Sequence, residues 1–238
     1  PIRGGPAEEA GVMAGDVILT INGENTRGFS TSDATTRLKG DAGTDVQIEV
    51  RRGTGQIEEI LITRDRIKVP SVDYKLVDPE IGMVMISRFG DSTAAEVREA
   101  LSAMQDESPE MKWLIVDLRN NGGGWMLSAR EIASMFINHG NSIIVQQQRE
   151  DVFELKSNNM NNGHIPIAVL INRGTASAAE ILAGALRDND MGILIGENSF
   201  GKGVIQTPIP LGDDRLVLTT AEYLTPDRHP VHEVGLSP

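Results

Sequence analysis

Residues 192–203 read GILIGENSFGKG, an apolar run that opens into a loop carrying Lys202 between two glycines. Gly196, four residues and Gly201-Lys202 fit the first seven positions of the phosphate-binding pattern G-x-x-x-x-G-K-[ST]. The eighth position is Gly203, which has no hydroxyl to hold magnesium. A phosphate loop must also open a helix, whereas VIQTPIP (204–210) is β-branched and carries Pro208 and Pro210, each without a backbone N–H. The nucleotide-binding reading fails on both counts. What remains is a strand whose carboxyl end delivers a loop with a lysine that needs another role.

Moving outward from this strand, elements alternate. IGMVMISRF (81–89) reads as a strand, and STAAEVREALSAMQ (92–105) as a helix with Ser92 as cap and Val97, Leu101 and Met104 on one face. WLIVDL (113–118) reads as a buried strand, followed by a glycine-rich loop and the helix WMLSAREIASMFI (125–137). SIIVQQQ (142–148) and PIAVLIN (166–172) read as strands, and ASAAEILAGALRD (176–188) as a helix. This order predicts an α/β domain with a largely parallel sheet. KSNNMNNGH (156–164) reads as a polar loop.

Upstream, the pattern is different. DVILTINGE (16–24) is an alternating strand running into a glycine turn, FSTSDATTRLKG (29–40) offers a short helix, and VQIEVRRGTGQIEEILITRD (46–65) a hairpin around GTG. RIKVPSV (66–72) reads as a linker in which Pro70 holds Val69 extended.

Composition excludes several classes. With 34 acidic and 22 basic residues the net charge is −12, which argues against nucleic acid and anionic membranes as partners. The chain has no cysteine, so disulfides, zinc–thiolate sites and cysteine nucleophiles are ruled out. Its four histidines, His139, His164, His229 and His232, read as surface residues, and no H-x-x-x-H pair is present. The reading therefore expects no metal and no cofactor.

In open α/β sheets functional groups gather at the carboxyl ends of strands. Here those positions hold RNNGGG (119–124), RGTASAAE (173–180) and ENSFGKG (197–203). Ser177 stands at a helix start, where amide groups and the positive end of the helix dipole favour a developing negative charge; taken alone it reads as an ordinary cap, a position serine prefers. Three consecutive glycines can turn their N–H groups toward an oxyanion, and one of them with Ala178 N–H would form an oxyanion hole; a tight turn or an anion nest would use the same glycines. No histidine lies in these loops, and Lys202 can serve as a base only if it is neutral. At the ordinary lysine pKa of ~10.4 only about one in a few thousand is neutral at pH 7, so this role needs desolvation, expected from Phe200 and the surrounding glycine backbone.

GGPAEEAGVMAGD (4–16), followed by VILTINGE, resembles the PDZ module in its bacterial, protease-attached arrangement. LINRGTASAAEILAGALRDN, GENSFGKGVIQT and DLRNNGGG resemble the carboxyl-terminal processing peptidases, the tail-specific serine proteases with a Ser-Lys mechanism. The resemblance covers essentially the whole chain, and Lys202 follows Ser177 by the family's spacing of 25 residues. It implies an α/β, ClpP/crotonase-like peptidase domain over residues 67–238, preceded by a small β-rich PDZ domain over residues 1–66 whose first strand and carboxylate loop would precede Pro1. It implies Ser177 as nucleophile, Lys202 as general base, Gln206 as the residue that orients the lysine amine, and Gly123 with Ala178 as oxyanion hole. Gly122 stands where many relatives carry proline. The implied activity is endopeptidase cleavage near the C-terminus of protein or peptide substrates with apolar tails, in an extracytoplasmic compartment. A homo-oligomer or an adaptor protein is the further partner it suggests. The competing reading is a PDZ-type scaffold that binds tails without cutting; the joint presence of Ser177, Lys202 and Gln206 argues against it.

If Gln206 is to reach Lys202, residues 202–206 must depart from an extended strand, because four strand residues span roughly 13 Å.

Overall fold

The computed structural model describes residues 1–238 except 3, 54, 67, 68, 149, 150, 159–164 and 213. The chain divides into two units, Pro1–Val69 and Pro70–Pro238. His164, most of the 156–164 loop and the centre of the 66–72 linker lie outside the described residues.

The first unit is built on period-two alternation. It runs α1 (Pro6–Glu9), β1 (Val17–Ile21), β2 (Glu24–Asn25), α2 (Thr31–Leu38), β3 (Asp45–Arg51) and β4 (Ile57–Thr63), with antiparallel sheet order β2-β1-β3-β4. Val46, Ile48 and Val50 of β3 face inward and meet Ile60 and Ile62 of β4 and Ile21 of β1. Asn22 and Gly23 both take positive φ, the twist a two-residue hairpin turn requires. Helix α2 starts at Ser30 in a capping box with Asp33, and its last carbonyls, Leu38 and Arg37, accept from the Arg64 guanidinium.

In the second unit the elements are β5 (Val72–Asp78), β6 (Ile81–Ile86), α3 (Thr93–Glu107), β7 (Trp113–Asp117), α4 (Met126–Ser134), β8 (Ser142–Gln148), β9 (Asp151–Lys156), β10 (Ile167–Ile171), α5 (Ala178–Asp188), β11 (Gly192–Gly196), β12 (Val204–Leu211) and β13 (Asp214–Leu224). A five-stranded sheet has order β11-β10-β7-β6-β5; the first four strands are parallel and β5 is antiparallel to β6. Val84, Leu114, Val116, Val169 and Leu194 on one face pack with residues of α3, α4 and α5 into a single core. A second, antiparallel sheet has order β12-β13-β8-β9. Strands β5, β9 and β13 carry little sequence signal because apolar residues such as Val77, Phe153 and Val217 stay exposed, so alternation does not track burial.

Ser92 is a correction. It occupies the N-cap position of α3 but has helical dihedrals, and its hydroxyl donates to Glu96 instead of capping an amide. His139 and His229 are exposed as expected, whereas His232 is half-buried, with its Nδ1 enclosed and unpartnered among the described residues.

Because β7, β10 and β11 are adjacent and parallel, their carboxyl ends bring three loops to one sheet edge.

Candidate active site

The loop after β7 is fixed by a buried asparagine. Asn121 donates its Nδ2–H to the Ile86 carbonyl at 2.7 Å, accepts the Gly123 amide on Oδ1 at 2.8 Å, and accepts the Ala176 amide on its own carbonyl at 2.9 Å. Gly123 has φ +95°, and a Cβ there would fall 2.8 Å from Ser177 Cβ and 2.9 Å from the Ala178 nitrogen, so only glycine allows this approach. A side chain at Gly122, in contrast, would meet nothing within 4 Å.

The loop after β10 is tied to the first by side-chain amides and a hydroxyl. Asn172 Oδ1 accepts the Asn120 and Gly174 amides, and the buried Thr175 hydroxyl donates to the Leu118 carbonyl at 2.8 Å. From this base the chain turns sharply into α5 at Ser177, whose φ, ψ of 57°, −120° is forbidden ground for most L-residues. Such a strand-to-helix elbow pushes a side chain out of the turn and leaves the first helical amides facing it. The Ala178 amide has no acceptor among the described residues.

Glu180, one turn into α5, is 0% exposed. Its Oε2 accepts the amides of Ser177 at 2.8 Å and Lys202 at 2.9 Å, and its Oε1 accepts the Ser199 hydroxyl at 2.6 Å and the Gly201 amide at 2.7 Å. Four donors and the helix N-terminus compensate a carboxylate that water does not reach. On the other side of the same backbone, the Tyr223 hydroxyl donates to the Lys202 carbonyl at 2.7 Å and lies 3.2 Å from the Ser177 carbonyl. Burial, and then the charge of Glu180, push the Tyr223 phenol far above its ordinary pKa.

The glycines beside Lys202 serve a close backbone approach from within the chain. A Cβ at Gly203 would fall 2.3 Å from the His232 nitrogen, and one at Gly201, where φ is +87°, 2.9 Å from that of Gly235. Leu236 and Ser199 exchange two hydrogen bonds, and the Glu233 amide donates to the Gly201 carbonyl. The segment 231–236 thus forms one wall of the lysine loop.

The structure therefore brings Ser177, Ala178, Gly123 and the backbone of Lys202 together. Phe200 does not shield the lysine: it is 67% exposed, its amide held by the Thr175 carbonyl, while Lys202 is half-buried with no partner on Nζ among the described residues. Gln206 is exposed on β12, past a register irregularity between Ile205 and Gln206, and makes no hydrogen bond to Lys202. The chain from Val204 onward is strand, so no helical turn links positions 202 and 206.

Sequence reasoning missed Glu180 and Tyr223. Ser177-x-x-Glu180 has the form of a capping box, a signal that points at Glu180, although its partners in 199–202 lie far along the chain. Sequence spacing also missed Asp188, Asp227 and His229, whose ligand-type atoms lie within 4.8 Å of one another at the far end of α5, about 16 Å along the helix from Ser177. There the Asp188 carboxylate already accepts from Arg187 and the Asp227 amide. A cleft of about 1110 Å³, lined by Arg98, Lys112, Trp113, Phe136 and Ile165, opens at the amino ends of β7 and β10, on the opposite edge from Ser177.

The chain thus pairs a small β-rich unit with a largely parallel α/β domain that carries a serine on a strained strand-to-helix elbow. The chain belongs to peptidase family S41, whose profile matches residues 80–238, and a PDZ-domain profile matches residues 1–52. It is 37% identical over 241 residues to the carboxy-terminal processing protease CtpA of Bacillus subtilis, covering 100% of this chain and 51% of that protein. It is 38% identical over 245 residues to a carboxy-terminal-processing protease of Bartonella bacilliformis, covering 100% of this chain and 56% of the relative. The chain thus spans about half the length of these relatives. Among solved structures, the photosystem II D1 C-terminal processing protease superimposes with a TM-score of 0.62 at 32% identity, over 100% of this chain and 66% of that one.

Proposed function

We propose that this chain is the tail-binding and cleaving core of a carboxyl-terminal processing endopeptidase that works through a serine–lysine pair. The observation that carries the reading is the double bridge between Ser177 and Lys202, through Glu180 on their amides and Tyr223 on their carbonyls, next to Gly123 and Ala178.

In this reading the Ser177 hydroxyl attacks the scissile carbonyl carbon. Its proton passes to a neutral Lys202 amine, and the new C–O bond leaves negative charge on the carbonyl oxygen. The Ala178 amide is the ready donor to that oxygen; the Gly123 amide joins it by turning from Asn121 Oδ1. Collapse breaks the C–N bond, Lys202 returns the proton to the leaving amine, and water then releases the acyl group by the same path. Gln206 enters only if β12 shifts at its irregular register step. In the first unit a substrate tail would add as a strand beside α2, with apolar side chains favoured in the groove. The resemblance to the family also supports an extracytoplasmic setting.

The test is mass spectrometry of an unstructured peptide with an apolar C-terminus, incubated with the chain and its Ser177→Ala and Lys202→Ala forms. Both substitutions should reduce cleavage by about 10⁴-fold or more. Cleavage by either variant at the unaltered rate would overturn the mechanism, and binding without cleavage by the parent chain would favour the scaffold reading.

A further inference from the structure

We propose that Tyr223 is a positioning residue for the cleavage reaction, its hydroxyl holding the Lys202 carbonyl against the turn that carries Ser177. The inference rests on the reading of Ser177 and Lys202 as nucleophile and base.

Lys202 stands between two glycines, which impose little restraint of their own on its backbone. Its position is therefore set by what its peptide groups bind. The amide is held by Glu180, and the carbonyl by the Tyr223 hydroxyl at 2.7 Å. That hydroxyl is the carbonyl's one partner among the described residues, whereas the Ser177 carbonyl also accepts the Ile181 amide of α5.

Tyr223 is itself immobilised. It is 2% exposed, sits on β13 opposite Gln146 of β8, and its amide donates to the Gly203 carbonyl at 2.8 Å. One residue thus holds two successive carbonyls of the lysine loop, one with its amide and the other with its phenol. Burial, and then the charge of Glu180, push the phenol above its ordinary pKa and so favour the protonated donor. Only the hydroxyl reaches the site; the ring belongs to the core. Loss of the oxygen alone frees the carbonyl of the base while the packing stays.

The experiment compares Tyr223→Phe with the parent chain, Ser177→Ala, and Ser108→Ala, which removes a hydrogen bond to the Pro79 carbonyl away from the site. Steady-state cleavage of one peptide is measured about ten degrees below the lowest melting temperature of the set, so every form is folded when its rate is read. A lysine amine displaced by a fraction of an ångström should lower kcat by about 10- to 100-fold with KM within about twofold, while Ser108→Ala keeps the parent kcat. A Tyr223→Phe form with the parent kcat, or one altered in KM alone, overturns the role of Tyr223 and leaves the serine–lysine reading standing. Undiminished cleavage by Ser177→Ala overturns both.

Discussion

Two helices of this chain begin with the same local device and use it differently. At α2, Ser30 has φ, ψ of −73°, 164°, and its hydroxyl and amide both donate to Asp33 three residues on, the whole exchange lying at the surface. At α5, Ser177 sits at 57°, −120°, and the acid three residues on is fully buried and shared with Ser199, Gly201 and Lys202. The pattern S-x-x-[D/E] is therefore a cap in one place and a joint in the other. What separates them is the range of the acid's bonds: Asp33 closes a local ring, whereas three of the four hydrogen bonds that Glu180 accepts come from residues about twenty positions away.

The sharpest way to break the comparison is to remove both acids. Glu180→Ala strands three amides and a hydroxyl, and should cost about 3 kcal/mol or more of second-unit stability with about a 100-fold loss of kcat/KM. Asp33→Ala should cost about 1 kcal/mol in the first unit and leave kcat as it was. Denaturant unfolding followed unit by unit, beside peptide cleavage, reads both; equal losses would show that the two boxes do the same job.

A smaller effect follows at the glycine run. Gly123→Ala would drive a methyl into the Ala176 carbonyl, Ser177 Cβ and the Ala178 amide, lowering stability as well as kcat, the latter about 100-fold, whereas Gly122→Ala should stay within about threefold of the parent. If the two variants behave alike, close approach at Gly123 is not what the elbow requires.

The smallest effect is a titration. The Ser30 hydroxyl, then its amide, hold the Asp33 carboxyl below its ordinary pKa. A carboxyl depressed on folding contributes stability above its unfolded pKa and loses it as pH falls through the folded value. Carbon-13 NMR of Asp33 should show a midpoint below about 3.9, and Ser30→Ala should raise it.

Much of the fold was legible because its signals are local. Alternation in 46–50, the apolar runs 113–118 and 192–196 and the serine-led segments each specify an element without reference to distant residues. The elbow was half legible: Ser177 and its glycine-rich partners could be read from residue type and spacing, but Glu180 and Tyr223 could not, since their roles exist only once 199–203 folds back over α5. Phe200 shows the opposite failure. An aromatic next to a lysine suggests shielding, yet the Phe200 amide goes to Thr175 and its ring points to solvent.

The dihedrals of Ser177 have a consequence for selection. At φ 57°, ψ −120° a glycine is comfortable and a serine is not, so Ser177→Gly should make the domain more heat-resistant, by about 1 kcal/mol, while deleting the hydroxyl. With Ser177 as the proposed nucleophile, a library sorted only for survival at high temperature would enrich glycine at 177 and fill with durable, inert molecules. At this position persistence and turnover pull in opposite directions, and only a screen that demands product would keep the serine.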